Sequence, residues 1–201
     1  MELHHTPKNT DEVVKFIYLH GHTELKEQVF AFISPSKLEF FEQDTLFGEN
    51  VNKEFPDAVL EIKAFGNCMA ADLHTAAVFH LTRAAEVALI ELTERLKIKR
   101  SKSGLTVNIA GWGDIIGAID VFLDEKIQSL KGKGSGKRTS KKLSELVYYQ
   151  TISKELGAIK DLWRDPVSHG RTEYNQRQAL DAFEHIKEFM MRLASRNTKP
   201  A

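Results

Sequence analysis

The chain has 201 residues, 42% of them hydrophobic and 28% charged, which is enough length and apolar content for one domain with a substantial core. Its 28 basic side chains balance 28 acidic ones, so no global field draws it onto nucleic acid or a membrane surface. Any contact with RNA must come from local patches.

Cys68 is the only cysteine, so an intrachain disulfide is excluded and a reducing compartment is expected. Met1 to His5 leads into no apolar run behind a basic region, so no signal peptide is expected. No stretch of roughly eighteen apolar residues is present, which argues against a membrane partner and for a cytoplasmic location.

Residues 1–50 read as a small mixed appendage. Thr10 is placed to cap a short helix through Leu19, with Gly21 as its stop. Val29 to Ile33 is an apolar run compatible with a strand. Ser34 and Pro35 then read as an N-cap and a first-turn proline, opening a helix through about Gln43.

Residues 51–201 carry helical periodicity. A first helix is expected from about Pro56 to Ala70. Asp72 is placed to cap a second, with Leu73, Ala77, Leu81, Ala84, Ala88 and Leu92 at three-and-four spacing. The small side chains of this helix (Ala76, Ala77, Ala84, Ala85, Ala88) would admit a close neighbour. A third helix should span about Trp112 to Leu130 and a fourth about Lys141 to Trp163. Asn175 and Gln178 form a capping-box-like start for the last, which carries Ala179, Phe183, Ile186, Met190 and Leu193 on one stripe. The fold class is therefore all-α, an antiparallel bundle of about five helices with the appendage. Simple up-down packing would put the loop from Lys97 to Lys102 at the same end as residues 164–169, and the linker 131–142 at the other.

The run Arg164-Asp165-Pro166-Val167-Ser168-His169 joins the last two helical patterns. Pro166 disfavours helical geometry at Asp165, so the fourth helix should end near Trp163 or Arg164. Arginine is permanently charged and forks onto phosphate; histidine titrates near neutrality. RNA cleavage without a metal needs a base for the 2′-hydroxyl proton and a cation to offset charge on the phosphorane oxygens. His169 suits the first role and Arg164 the second. A structural reading competes: Arg164 pairs with Asp161 or Asp165, and His169 sits in an exposed turn.

The stretch from Lys160 to Arg171, with Tyr174 and the run from Phe183 to Met190, resembles the terminal helices of the HEPN domains (higher eukaryotes and prokaryotes nucleotide-binding), many of which are all-helical, metal-independent endoribonucleases. The four residues between Arg164 and His169 fall within that family's Arg-to-His spacing, and Asp165 stands where the family carries a polar residue. Val78 to Glu86 resembles the helix that packs against the motif. The resemblance covers about residues 55–195. It implies a catalytic set of Arg164, His169 and Asp165, no cofactor, RNA as substrate, and a homodimer whose two motifs face one cleft. A toxin or phage-defence role, with an antitoxin partner, is also implied. A non-catalytic HEPN-like module that binds RNA, a nucleotide or a protein stays open beside it.

Other residues join this reading. Lys97, Lys99, Arg100, Lys102 and Arg171 are candidate RNA-backbone contacts. His80, Arg83 and Glu86 fall on one side of the second helix, either as an auxiliary polar shell or as a plain Arg83–Glu86 surface pair. The linker basic residues Lys131, Lys133, Lys137, Arg138, Lys141 and Lys142 read as an RNA arm or a solvated loop. His4-His5 and His20-Gly21-His22 lack the partners of a zinc site, so no metal is assigned.

Overall fold

The computed structural model describes residues 10–25, 32–131, 137–170 and 172–196. It divides into two compact units, residues 1–33 and 34–201. The first unit contains helix α1, Thr10–Leu25, which runs through Gly21 and is longer than expected. Glycine weakens a helix without forbidding it. The proposed strand at Val29 to Ala31 lies outside the described residues, and Phe32 and Ile33 adopt neither helix nor strand.

Among its described residues the second unit has helices and no strand, with one isolated bridge between Arg100 and Thr106. It takes in residues 34–50, which the sequence assigns to the appendage. The helix expected after Ser34-Pro35 shrinks to a 3-10 turn, Pro35–Lys37. The reason is tertiary. Glu42 takes a positive φ of 54° and exchanges two hydrogen bonds with Asn67, while Phe40, Leu46 and Phe47 pack onto the core. Short helix α2, Glu49–Glu54, follows, then a 3-10 turn at Pro56–Ala58 and helix α3, Val59–Ala70.

Helix α4, His74–Leu96, is the central rod. Ala77, Val78, Leu81, Ala84, Ala85, Ala88, Leu89 and Leu92 are all 0% exposed. Ala77, Ala84, Ala85 and Ala88 of the expected alanine face are therefore consumed inside the chain, while Ala76 is half-buried. Asp72 does not cap this helix. It takes φ 60° and pairs with Lys37 and His74, so Leu73 precedes the helix and is exposed. Helix α5, Trp112–Lys131, and helix α6, Lys137–Ile159, pair through Ser153 Oγ to Asp120 at 2.7 Å and Gln150 to Asp124 at 2.8 Å. Residues Lys137 to Lys142 of the basic linker thus begin α6, and residues 132–136 lie outside the described set.

A four-residue helix α7, Asp165–Ser168, precedes the last helix α8, Gln176–Ser195. The capping box at its start forms as expected: Asn175 accepts from the Gln178 amide and Gln178 accepts from the Asn175 amide, both at 3.0 Å. Ala179, Phe183, Ile186, Met190 and Leu193 are buried. Phe183 stacks on Phe65 with ring centroids 4.9 Å apart.

Direction differs from simple alternation. The Tyr174 amide donates to Thr75 Oγ1 at the start of α4, and Arg95 near its end reaches the Leu193 carbonyl. Helices α4 and α8 therefore run parallel, with α6 antiparallel to both. Since α5 is antiparallel to α6, residues 97–111 must carry the chain back along α4. Trp112 accordingly bonds Glu86, midway along that helix.

Candidate functional site

The break expected at Pro166 does not occur. After Ile159 the chain forms a π turn, Lys160–Arg164, and continues into α7. Asp165 keeps helical angles (φ −68°, ψ −44°) and donates its N–H five residues back, to the Lys160 carbonyl. Proline in a helix removes a donor and crowds the carbonyl four residues earlier. Here the π turn shifts the ladder by one residue. Pro166 stands at the second position of α7, where an N–H needs no helical partner. The Leu162 carbonyl, within the π turn, accepts from the Tyr174 hydroxyl at 3.3 Å.

Arg164 and His169 flank α7 on either side. Arg164 Nη1 donates to Asp165 Oδ1 at 2.9 Å, and Lys160 Nζ donates to the other oxygen at 2.9 Å. Lys160 also pairs with Asp161. The Lys160 hydrogen bond is the main influence holding Asp165 below the ordinary carboxylate value; burial opposes it and Arg164 adds to the lowering. Lys160 is raised in turn, by Asp161 first and then Asp165. The Arg164 side chain remains 30% exposed, with guanidinium donors to spare.

His169 is exposed, and its backbone N–H bonds the Asp165 carbonyl at 3.1 Å. Gly170 then reverses the chain at φ 61°, a conformation that favours glycine. Among the described residues, no hydrogen bond or ion pair joins Arg164 to His169. Five helical steps separate residues by about 7.5 Å along the axis and about 140° around it. One turn therefore displays a cation and an imidazole on the surface without aiming them at each other.

The remaining candidates lie elsewhere. Lys97, Lys99, Arg100 and Lys102 follow the C-terminal end of α4, whereas the motif adjoins its N-terminal half, so the expected shared end is corrected. Helix α4 has 23 residues, about 34 Å of length. The cause is the parallel α4–α8 pairing. Arg100 is bonded to the Gly104 carbonyl at 2.8 Å, and Lys97 and Lys99 line a cleft of about 490 Å³ with Thr106, Val107 and Asn108. Arg171 lies outside the described residues.

His80 and Arg83 converge on Glu61 of α3 instead of on His169. His80 Nδ1 donates to Glu61 Oε2 at 2.8 Å and Arg83 Nε to Oε1 at 2.7 Å. Glu86 accepts from the Trp112 indole at 3.0 Å, so the simple Arg83–Glu86 surface pair is not formed by hydrogen bonding. Burial alone would raise the Glu61 carboxyl, but its bonds from His80 and Arg83 outweigh that and hold it low. Glu61, Arg83 and Glu86 line a cleft of about 460 Å³.

Three pairings of this region escape a reading of the sequence. Glu61 is 19 positions from His80, beyond any local pattern. Tyr174 is 12 positions from Leu162. Lys160, five before Asp165, is recoverable only if the chain between them is known to be helical.

No helix among the described residues is long and apolar enough to cross a membrane. Comparison with protein-family models, curated proteins and solved structures gives no match.

Proposed function

We propose that this chain is an endoribonuclease that cleaves RNA without a metal, through a site built from Arg164 and His169 of two copies facing each other. The observation that carries the reading is their placement at the two ends of α7, both accessible, with Asp165 bonded to the guanidinium. His169 takes the proton of a ribose 2′-hydroxyl, and the freed oxygen attacks the adjacent phosphorus. The bond to the 5′-oxygen breaks, and that leaving oxygen takes up a proton from solvent, so one histidine and one arginine suffice in each cleft. Arg164 offsets the charge that builds on the non-bridging oxygens. The products are a 2′,3′-cyclic phosphate and a 5′-hydroxyl.

The divergence of Arg164 and His169 around one turn favours the two-copy arrangement, because a single chain does not by itself converge them on one phosphate. The resemblance to HEPN domains supports the same assignment, and with it a cytoplasmic toxin or defence role held in check by an antitoxin.

Purified protein incubated with total RNA in excess EDTA is expected to yield cyclic-phosphate ends. Arg164→Ala and His169→Ala should each abolish this while retaining helical circular dichroism. Cleavage that persists in both variants rejects the assignment. The absence of any Arg164–His169 bond also suits a non-catalytic RNA-binding module, which predicts salt-sensitive binding with no product.

A further inference from the structure

Beside the motif lies a cleft of about 300 Å³ lined by Trp163, Pro166, Thr172, Tyr174, Gln178 and Asp181. We infer that this cleft is a nucleobase subsite that selects guanine next to the phosphate held by Arg164; the inference rests on the endoribonuclease reading and names the base it prefers.

Position supports it first. Trp163 and Pro166 belong to the same run as Arg164 and Asp165, so the cleft adjoins the segment that carries the candidate phosphate contact. The volume is at the lower end of the range of ligand pockets, about 300–1,000 Å³, and suits one base better than a large cofactor. Single-stranded RNA is commonly read by splaying a base onto aromatic side chains and bonding its edge. Trp163 is half-buried, with one side toward His185 at 5.4 Å between rings, and it lines the cleft.

The polar inventory of the walls then selects the base. The Tyr174 hydroxyl is committed to the Leu162 carbonyl, and Gln178 Oε1 to the Asn175 amide. Uncommitted among the described residues are the Asp181 carboxylate, which only accepts, the Gln178 side-chain N–H groups and Trp163 indole N–H, which only donate, and the Thr172 hydroxyl, which turns to either role. Guanine presents two adjacent donors, N1–H and the exocyclic amine, that match a carboxylate fork, and its O6 and N7 accept from the remaining donors. Adenine and cytosine offer one amine beside a ring nitrogen whose lone pair would oppose the carboxylate. Uracil offers one N–H flanked by two carbonyls. Only guanine satisfies both halves of the wall.

The test uses fluorescein-labelled hexauridylates carrying a single guanosine, adenosine, cytidine or inosine, with anisotropy read on the His169→Ala protein in EDTA. The guanosine oligomer is expected to bind roughly tenfold tighter than the adenosine or cytidine ones, as a charge-assisted hydrogen-bonded pair predicts. Inosine, which lacks the exocyclic amine, should lose most of that gain. Asp181→Asn, at an exposed position, should level the four while leaving the helical signal intact. Parallel cleavage assays use the wild type. Cleavage with no guanine preference in binding overturns the subsite and leaves the nuclease standing. Guanine preference without cleavage does the reverse, and the absence of both binding and cleavage with every oligomer overturns both.

Discussion

The Tyr174 hydroxyl donates to the Leu162 carbonyl at 3.3 Å, across 12 positions of sequence. A side chain from the approach to α8 thereby ties down the corner where α6 passes into α7. Tyr174→Phe removes this hydrogen bond while keeping the ring that packs at 9% exposure. The expected cost is about 1 kcal/mol by urea denaturation. Unchanged stability would mean that solvent satisfies this carbonyl equally well.

Asp165 touches both Lys160 and Arg164, so under the nuclease reading it acts by positioning the guanidinium. Asp165→Ala should reduce single-turnover cleavage in chelator by roughly 10- to 100-fold, the scale of a misplaced catalytic group. Retained full activity would show that Arg164 needs no such hold.

A composite site predicts complementation. Arg164→Ala and His169→Ala are each expected to be inactive alone, but mixed and refolded together they should regain measurable cleavage, because a mixed pair keeps one arginine and one histidine in the shared cleft. Light scattering on the wild type should give twice the 22.8 kDa chain mass. A strict monomer, or no recovery on mixing, sinks the two-copy arrangement.

Glu61 ties α3 to α4 through His80 and Arg83. Its pKa is lowered from an ordinary 4.5. Its contribution to stability is therefore complete above pH 4.5 and fades as pH falls through the lower folded value. Glu61→Gln should cost about 1–2 kcal/mol near neutrality and flatten the acid limb of a Tm-against-pH curve. An identical acid limb in the variant would assign that limb to other carboxylates.

Gly66→Ala sets two effects against each other. Alanine improves helix propensity by up to about 1 kcal/mol. A Cβ at this position, however, would stand 2.4 Å from the Phe40 carbonyl oxygen and 2.7 Å from Leu46 Cδ1. Backbone cannot yield as a flexible side-chain end does, so the clash should win, with net destabilisation of about 1–3 kcal/mol. A raised Tm would show that residues 38–46 give way easily.

Features specified locally were legible in the sequence. The Asn175–Gln178 box spans four residues, and the apolar stripe of α8 follows one helical period, so both read correctly. What required distant partners did not. Pro166 reads as a stop because the π turn that accommodates it has no local signature. Ser34-Pro35 reads as the start of a longer helix, but Asn67 and the core claim the residues after it. Helix direction was misjudged because nothing in residues 97–111 signals a return along α4. The candidate site shares this division: Arg164, Asp165 and His169 stand out as a motif, whereas Lys160 and the Trp163–Asp181 cleft emerge only once the segment is known to be helical.

The side-by-side course of α4 and α8 also bears on how the molecule reaches its native state. The contacts that define it join positions 98 and 99 apart in the chain, a closure whose entropy must be met before packing rewards it. Until α8 docks, the flank of α4 that it covers is sticky and open to chaperones or to another nascent copy. Loosening α8, for instance by Ile186→Ala, should therefore show itself as slower refolding and greater loss to aggregates as well as lower stability.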